Sequence, residues 1–279
     1  MNTTTQTSSG GATEAPVSVK TVAGQTRGSR WRTATRYSLL ELSRNRLAFG
    51  LLLIFVPVWY GLLALLITTQ PAAFRFDATG ALLQVNGRNL TVLTAGFNAL
   101  TLIVGFLIFA STRKGSRFDR RLVLAGYPQV TLLLAKVTAL IVASSVIALY
   151  AGLVLLAFWR PESFALVWLG FFCAGLAYGA LGLLMGVLVR SELAGFFVII
   201  MVSLMDTFLQ NPVENPVANK PFLKAFPSFG AMQVGVAGGF THTLPGVALL
   251  VALAWPVGFA AIGLSVFWWR TRPRGQTTS

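Results

Sequence analysis

The stretch FALVWLGFFCAGLAYGALGLLMGVLV, residues 164–189, contains 26 residues and none that carries a charge. A helix needs about 20 mostly apolar residues to cross roughly 30 Å of hydrocarbon, because each residue advances about 1.5 Å along the helix axis. The stretch therefore predicts a membrane-spanning helix. A protein that crosses the membrane several times becomes the first class to consider.

Five other apolar runs are long enough to cross a membrane. They cover residues 47–68, 91–110, about 131–159, 193–210 and 246–269. Asp206 is the only acidic residue inside any of the six runs, and Lys136, near the start of the third, can extend its ammonium group to the membrane surface. We therefore predict an all-α membrane protein with six transmembrane helices.

The composition agrees with this class, since 55% of the residues are hydrophobic and only 11% are charged. A net charge of +14 would suggest a nucleic-acid partner if the protein were soluble. Here 16 basic residues, or 17 with Lys136, lie on the side of the chain termini and five on the opposite side. Membrane proteins concentrate Lys and Arg in their cytoplasmic segments. The distribution predicts a multi-pass plasma-membrane protein with both termini in the cytoplasm and no nucleic-acid partner.

The chain divides into three segments. Residues 1–30 are rich in Thr, Ser and Gly and have hardly any large apolar side chains, so we expect a disordered cytoplasmic tail. This tail lacks the basic start and apolar core of a cleavable signal peptide, so the first apolar run should serve as both signal and anchor. Residues 31–270 form the six-helix domain, and residues 271–279 form a cytoplasmic C-terminal tail.

Several chemistries are absent from the sequence. The single cysteine, Cys173, and the single histidine, His242, exclude an intrachain disulfide and a Cys/His zinc cluster. No GxxxxGK[ST] loop is present to bind nucleotide phosphates, and the eight acidic residues form no metal-binding pair. We therefore expect neither an enzyme nor a cofactor or metal site in this chain.

Residues 31–46 have the pattern of an amphipathic helix that lies along the membrane surface. Apolar side chains fall roughly on one side and basic ones on the other: Trp31, Ala34, Leu39 and Leu42 against Arg30, Arg36 and Arg44. This pattern is typical of an interfacial helix. The alternative is a basic flank that only sets orientation.

The segment SRFDRRLVLAGYP, residues 116–128, predicts a short separate cytoplasmic helix. Ser116 and Asp119 form a capping-box pattern, with Asp in place of the preferred Glu or Gln. Gly126, followed by Pro128, marks the C-terminal end. The predicted helix covers residues 117–125, with Phe118 and Leu122 forming an apolar ridge.

Residues 211–245 make up the longest external segment. They contain five prolines, and the apolar pieces between them are too short to cross the membrane. We predict re-entrant or surface-lying helices that cap the external face, the alternative being an ordinary loop.

Three helix faces inside the membrane stand out. Small residues share one face of the fourth span: Gly175, Gly179, Gly182 and Gly186. Such a face lets another helix approach closely, which favours packing within one subunit. Polar residues share one face of the second span and one face of the fifth: Thr94, Asn98, Thr101 and Gly105, and Ser203, Asp206, Thr207 and Gln210. Because polar groups avoid lipid, these two stripes either hydrogen-bond to each other or line a substrate route.

The order of these features resembles the type-2 ATP-binding-cassette exporter permeases. The stretch FDRRLVLAGYPQVTLLLAK, residues 118–136, is similar to their loop, in which a charged helix leads through Gly or Pro to a Lys that opens the third span. The resemblance covers about residues 30–270. Family members often carry an acidic residue and a Gly-Thr pair ahead of the apolar part of this helix, whereas here Asp119 stands with Arg120 and Arg121.

The resemblance implies partners and site residues. Two permeases would pair, as a homodimer or a related heterodimer, and each would bind a separate cytoplasmic ATPase subunit that carries ATP and Mg. The short helix would contact the ATPase through six residues: Phe118, Asp119, Arg120, Arg121, Leu122 and Tyr127. The polar stripes would line the substrate route near the dimer axis, and membrane lipids would be further partners of the chain. Substrates of this family include drugs, peptides, lipids and polysaccharides.

Two alternatives come from other classes. A proton-coupled secondary transporter would use Asp206 as its titrating group, although such folds usually contain internal repeats, which we do not find here. A membrane adaptor that transports nothing would need only the basic cytoplasmic surfaces.

Overall fold

A computed structural model describes residues 27–44, 46–67, 69–77, 80–189, 191–211 and 221–271. The described chain forms eight α-helices and one two-stranded sheet. In chain order they are α1 (Arg27–Ser43), α2 (Arg46–Leu66), β1 (Pro71–Arg75), β2 (Leu82–Asn86), α3 (Gly87–Leu124), α4 (Gln129–Leu155), α5 (Phe164–Leu188), α6 (Glu192–Gln210), α7 (Phe229–Phe240) and α8 (Gly246–Thr271). The predicted tails at 1–30 and 271–279 lie outside the described residues, apart from 27–30 and 271.

The six predicted membrane spans are confirmed. Six helices, α2, α3, α4, α5, α6 and α8, are long and apolar enough to cross a membrane. Pro57 and Pro256 lie inside α2 and α8 without ending them. The protein is therefore a multi-pass membrane protein.

The prediction of a separate helix at 117–125 is wrong. α3 runs unbroken for 38 residues, from Gly87 to Leu124, about 57 Å at 1.5 Å per residue. Ser116 does not cap a new helix, because its hydroxyl donates to the Arg113 carbonyl one turn earlier. The end of the helix was correctly predicted: Gly126 has a φ of 84°, which favours glycine, and Pro128 follows.

A β-hairpin between the first two spans was not predicted. β1 pairs antiparallel with β2, with Pro71 opposite Asn86 and Arg75 opposite Leu82. Phe74 and Val85 point into the protein. The strands are only five residues long, so their alternation is a weak sequence signal. β2 leads directly into α3, where the Asn86 side chain accepts a hydrogen bond from the Arg88 amide.

The segment before the last span, for which re-entrant or surface-lying helices were predicted, contains a buried helix, which rules out the surface-lying form and leaves the re-entrant form a prediction. α7 has 12 residues, too few to cross, and it packs against α3, α5 and α8. Its glycines allow this close packing: a side chain at Gly230 would meet the α8 backbone, and one at Gly238 would meet the start of α5. A 3₁₀ turn, Pro221–Ala225, precedes α7, and there Lys224 pairs at 2.8 Å with Asp77, which lies between β1 and β2.

α5 lies at the centre of the fold and contacts α3, α4, α6, α7 and α8. The predicted glycine face of α5 packs inside the subunit, as expected. A side chain added at Gly182 would meet the backbone carbonyl of Gly105 on α3, and one at Gly186 would meet Thr112. The glycines thus set the spacing between α3 and α5.

Replacing Gly182 with Ala is expected to destabilise the protein by roughly 1–3 kcal/mol, because the Gly105 carbonyl belongs to a rigid helix and cannot move aside alone. Thermal unfolding in detergent would measure the loss. Gly258→Ala on α8 is the matched control, since the added methyl group would have no neighbour within 4 Å. Equal unfolding temperatures for the two variants would contradict the close α3–α5 contact.

Candidate functional site

The polar stripes of α3 and α6 hydrogen-bond to each other. The Asn98 amide donates to the Thr207 hydroxyl at 2.9 Å, and the hydroxyls of Thr101 and Ser203 lie 2.7 Å apart. All four side chains are buried in a single chain. Polar groups among apolar helices find partners in this way, because an unpaired one costs free energy. The two stripes therefore hydrogen-bond to each other within one subunit, which is the first of the two alternatives that the sequence left open.

The other stripe residues are also buried. The Thr94 hydroxyl donates to the Leu90 carbonyl of its own helix. The Gln210 amide donates to the Leu223 carbonyl at 2.9 Å and so connects α6 to the 3₁₀ turn before α7. One acceptor is left over, because Asn98 Oδ1 is buried and has no hydrogen-bond partner among the described residues. The stripes thus form an internal polar layer with one unsatisfied oxygen.

Asp206 lies fully inside the protein and joins three helices. Its carboxylate accepts hydrogen bonds from the Tyr178 hydroxyl on α5 at 2.6 Å, and from the amide and hydroxyl of Ser228 at 2.8 and 2.7 Å. The expectation that Asp206 faces the interior and is hydrogen-bonded is confirmed. Its backbone partner is the amide of Ser228, 22 residues later in the chain.

Ser228 immediately precedes α7, so the Asp206 carboxylate lies at the N-terminal end of that helix. The free amides and the helix dipole at this end favour a negative charge. Asp206 therefore holds α7 in place between α5 and α6. The sequence did not identify Tyr178 or Ser228 as its partners, because both lie more than 20 residues away along the chain.

The predicted ATPase-contact residues lie at the C-terminal end of α3 and in the turn after it, far from the polar stripe. They separate into two groups, one exposed and one buried. Phe118 is 61% exposed, Arg121 is exposed, and Leu122 and Tyr127 are half-buried. Leu124, which was not predicted, is also exposed. The side chain of Arg120 lies outside the described part of the structure. These residues offer an apolar and basic surface at the end of the helix.

Asp119 faces inward instead. It is buried and forms an ion pair with Lys136 of α4 at 2.7 Å. Lys136 therefore does not simply extend to the membrane surface, as predicted from the sequence. The pair connects the end of α3 to the start of α4 across the turn at Gly126.

Glu41 of α1 joins the same cluster. Its carboxylate accepts a hydrogen bond from Ser111 and interacts electrostatically with Lys136. Gly115 of α3 makes the room: a side chain there would lie 3.4 Å from Lys136 Nζ and 3.5 Å from both Glu41 oxygens. Desolvation at this junction raises the pKa of Glu41 above its usual value, and the nearby Lys136 opposes that rise. The cluster connects α1, α3 and α4.

Replacing Asp119 with Asn is expected to cost roughly 1–3 kcal/mol of stability, because a mostly buried ammonium group loses its partner. Replacing Lys136 with Met should cost a similar amount, and the double variant less than the sum of both. Thermal unfolding in detergent measures all three. Lys224→Met is the control, because its pair with Asp77 is more exposed and should contribute about 1 kcal/mol or less. Additive losses for Asp119 and Lys136 would contradict the cluster.

The three predicted residues of the interfacial helix have different environments. Trp31 is exposed, Leu39 is half-buried and Leu42 is buried. α1 packs against α4 and α3, so Leu42 contacts the protein and cannot face lipid. α1 is a helix, as predicted, but one of its predicted apolar positions serves internal packing.

Comparison with protein families decides the identity. The ABC-2 type transporter model matches residues 29–227, more than half of the chain. The chain belongs to this family. The match ends just before α7, so that α7 and α8 lie beyond it. A search among curated proteins found no significant match.

Membership makes this ABC-2 chain a membrane transporter permease and not a nucleotide-binding domain. ABC-2 permease domains generally work with an ABC ATPase. In the described residues, no group of three or more His, Cys, Asp or Glu side chains could hold a metal ion.

Proposed function

We propose that the chain is the membrane subunit of an ATP-driven exporter. It would pair with a second permease copy, and each copy would bind a cytoplasmic ATPase subunit that holds ATP and Mg. The unbroken helix α3 carries this proposal. It bears the exposed Phe118 at one end and Asn98, in the buried polar layer, 20 residues earlier, about 30 Å away.

Such a helix suits mechanical coupling. A helix without Pro or a break moves as one body, so a push on Phe118 reaches Asn98 and Thr101 directly. The hydrogen bonds from these two residues to Thr207 and Ser203 then have to break or shift if α3 slides past α6. The unpaired Asn98 Oδ1 is available to a polar substrate group once the layer opens. The seven stripe residues would then line the route.

The ion-pair cluster supports the same function. Asp119 and Lys136 keep the exposed end of α3 attached to α4, and Glu41 connects it to α1. Phe118 and Leu122 would enter an apolar cleft on the ATPase, with Arg121 orienting the approach. Movement of the ATPase would reach three helices at once.

Purification from the native membrane in mild detergent tests the proposal. We expect an ABC ATPase at equal stoichiometry, hydrolysis that vanadate inhibits, and ATP-dependent substrate movement after reconstitution in vesicles. Transport driven by a proton gradient without ATP would favour the secondary transporter instead. A stable chain without ATPase or transport would favour the adaptor.

The orientation is part of the proposal and has its own test. The excess of basic residues on the side of the termini supports a cytoplasmic location for both termini, with the hairpin and the segment before the last span on the external side. A cytoplasm-dependent reporter fused after Ser279 should be active, and a cysteine introduced at Ala218 should react with an impermeant thiol reagent from outside. An inactive reporter together with an unreactive cysteine would contradict this topology.

A further inference from the structure

α1 contains a groove that neither the polar layer nor the ATPase surface uses. It has a volume of about 420 Å³, and its described lining residues all belong to α1. They are Trp31, Arg32, Thr35, Arg36, Leu39, Leu40 and Ser43. The groove therefore follows one side of the helix for about three turns.

The lining is almost entirely apolar, and the charged groups of its two arginines lie beside it. Trp31, Leu39 and Leu40 provide apolar surface, and Trp31 and Leu40 are exposed. Arg32 and Arg36 are exposed too, and because they are four residues apart their side chains project from the same face on successive turns. Two guanidinium groups at this spacing can both reach one phosphate group.

Neither arginine is neutralised by an acidic side chain in the part of the chain that the structure describes. In the described ranges, no acidic side chain pairs with Arg32 or Arg36. Glu41 is the only acidic residue of α1, and its carboxylate is held at the junction with Ser111 and Lys136. The two positive charges therefore remain available to a partner from outside.

The position of the groove indicates which partner this is. α1 ends at Ser43, and the apolar part of the first span begins at Phe49, six residues later. The groove therefore lies on the helix that leads into the first membrane span, so lipid headgroups would be within its reach. A phosphate next to an apolar chain is the chemistry of a phospholipid, and the unpaired arginines favour one with a net negative charge.

We propose that the α1 groove binds one anionic phospholipid, with its phosphate held by Arg32 and Arg36 and its acyl chain along Trp31 and Leu39. The site needs only the membrane location of the chain and does not depend on which substrate is transported. A bound lipid would hold α1 at the membrane surface. Because Glu41 belongs to α1, the bound lipid would also stabilise the position of Glu41 in the ion-pair cluster.

Lipid titration of the full-length detergent-solubilised protein, followed by native mass spectrometry, tests the site. Phosphatidylglycerol should bind more tightly than phosphatidylcholine. Replacing both arginines, in R32Q/R36Q, should weaken phosphatidylglycerol binding about 25-fold, since each basic side chain near an anionic surface contributes about fivefold. R32K/R36K should retain most of the binding, which separates lost charge from misfolding. R160Q, on an exposed arginine at the other end of the molecule, is the control and should bind like the wild type.

A second measurement locates the acyl chain. Lipid with a brominated acyl chain quenches tryptophan fluorescence on contact. Brominated phosphatidylglycerol should therefore quench the fluorescence of the wild type more strongly than that of Trp31→Phe. Wild-type lipid binding by R32Q/R36Q, or equal binding of both lipids, would overturn the proposal. Loss of the ATPase from R32Q/R36Q with lipid binding unchanged would assign the groove to the ATPase, and would leave the proposed function standing.

Discussion

Replacing Asp206 with Leu is expected to destabilise the protein by several kcal/mol. The substitution removes the acceptor of three buried donors. The amide and hydroxyl of Ser228 lose the acceptor they have here, and the Tyr178 hydroxyl keeps only a longer contact to the Val202 carbonyl, at 3.3 Å. Each unsatisfied buried group costs about 1–3 kcal/mol. α7 also loses the negative charge at its N-terminal end. The yield of monodisperse protein and the unfolding temperature in detergent measure the effect.

The sequence alone would predict a different outcome for this variant. With Asp206 only lining a route, Leu would impair transport and leave the folded level unchanged. The structure changes that expectation, because the carboxylate connects α5, α6 and α7. Restoring partial stability to Asp206→Leu by adding Ser228→Ala, which removes the orphaned hydroxyl, would identify the hydrogen bonds as the cause.

Two further variants complete the Asp206 test. Thr91→Val is the matched control, since the Thr91 hydroxyl is buried in α3 without a partner and its removal should be nearly neutral. Asp206→Asn keeps the shape and can still accept hydrogen bonds but cannot titrate. If Asn folds normally yet abolishes transport, the proton-coupled alternative gains support. If Asp206→Leu is as stable as the wild type, the proposed connection of three helices is wrong.

Replacing Phe118 with Asp is expected to release the ATPase or uncouple its hydrolysis from transport. An apolar side chain of this size contributes roughly 1.5–3 kcal/mol when fully buried in an interface, and a carboxylate in the same cleft adds a desolvation cost. Together these effects correspond to at least about a tenfold loss of affinity. Co-purification of the ATPase and ATP-dependent transport in vesicles are the measurements.

The same variant should fold normally, because Phe118 is already 61% exposed in the single chain. Its unfolding temperature therefore separates lost coupling from lost structure. Leu82→Asp on the hairpin is the control, since Leu82 is also apolar and similarly exposed but lies in β2, beside the other end of α3. Unchanged co-purification and transport for Phe118→Asp would remove the end of α3 from the coupling surface.

The spans could be predicted because their signal is local. A run such as 164–189 is long enough and apolar enough to define a membrane helix from its own composition. The stop at Gly126 was equally local, since a positive φ and a following Pro act on the helix end itself. The glycine face of α5 was predictable because helical periodicity alone places Gly182 and Gly186 on one side.

The tertiary structure decided that α3 continues through Ser116 and which residues contact Asp206. Ser116 fits a capping pattern, yet the helix passes through it, because α1 and α4 pack against this part of α3 and the ion pair at Asp119 holds it. The sequence could place Asp206 on the polar side of its helix. Only folding brings Ser228 and Tyr178 to it, because contacts between distant residues depend on how helices pack and not on any local pattern.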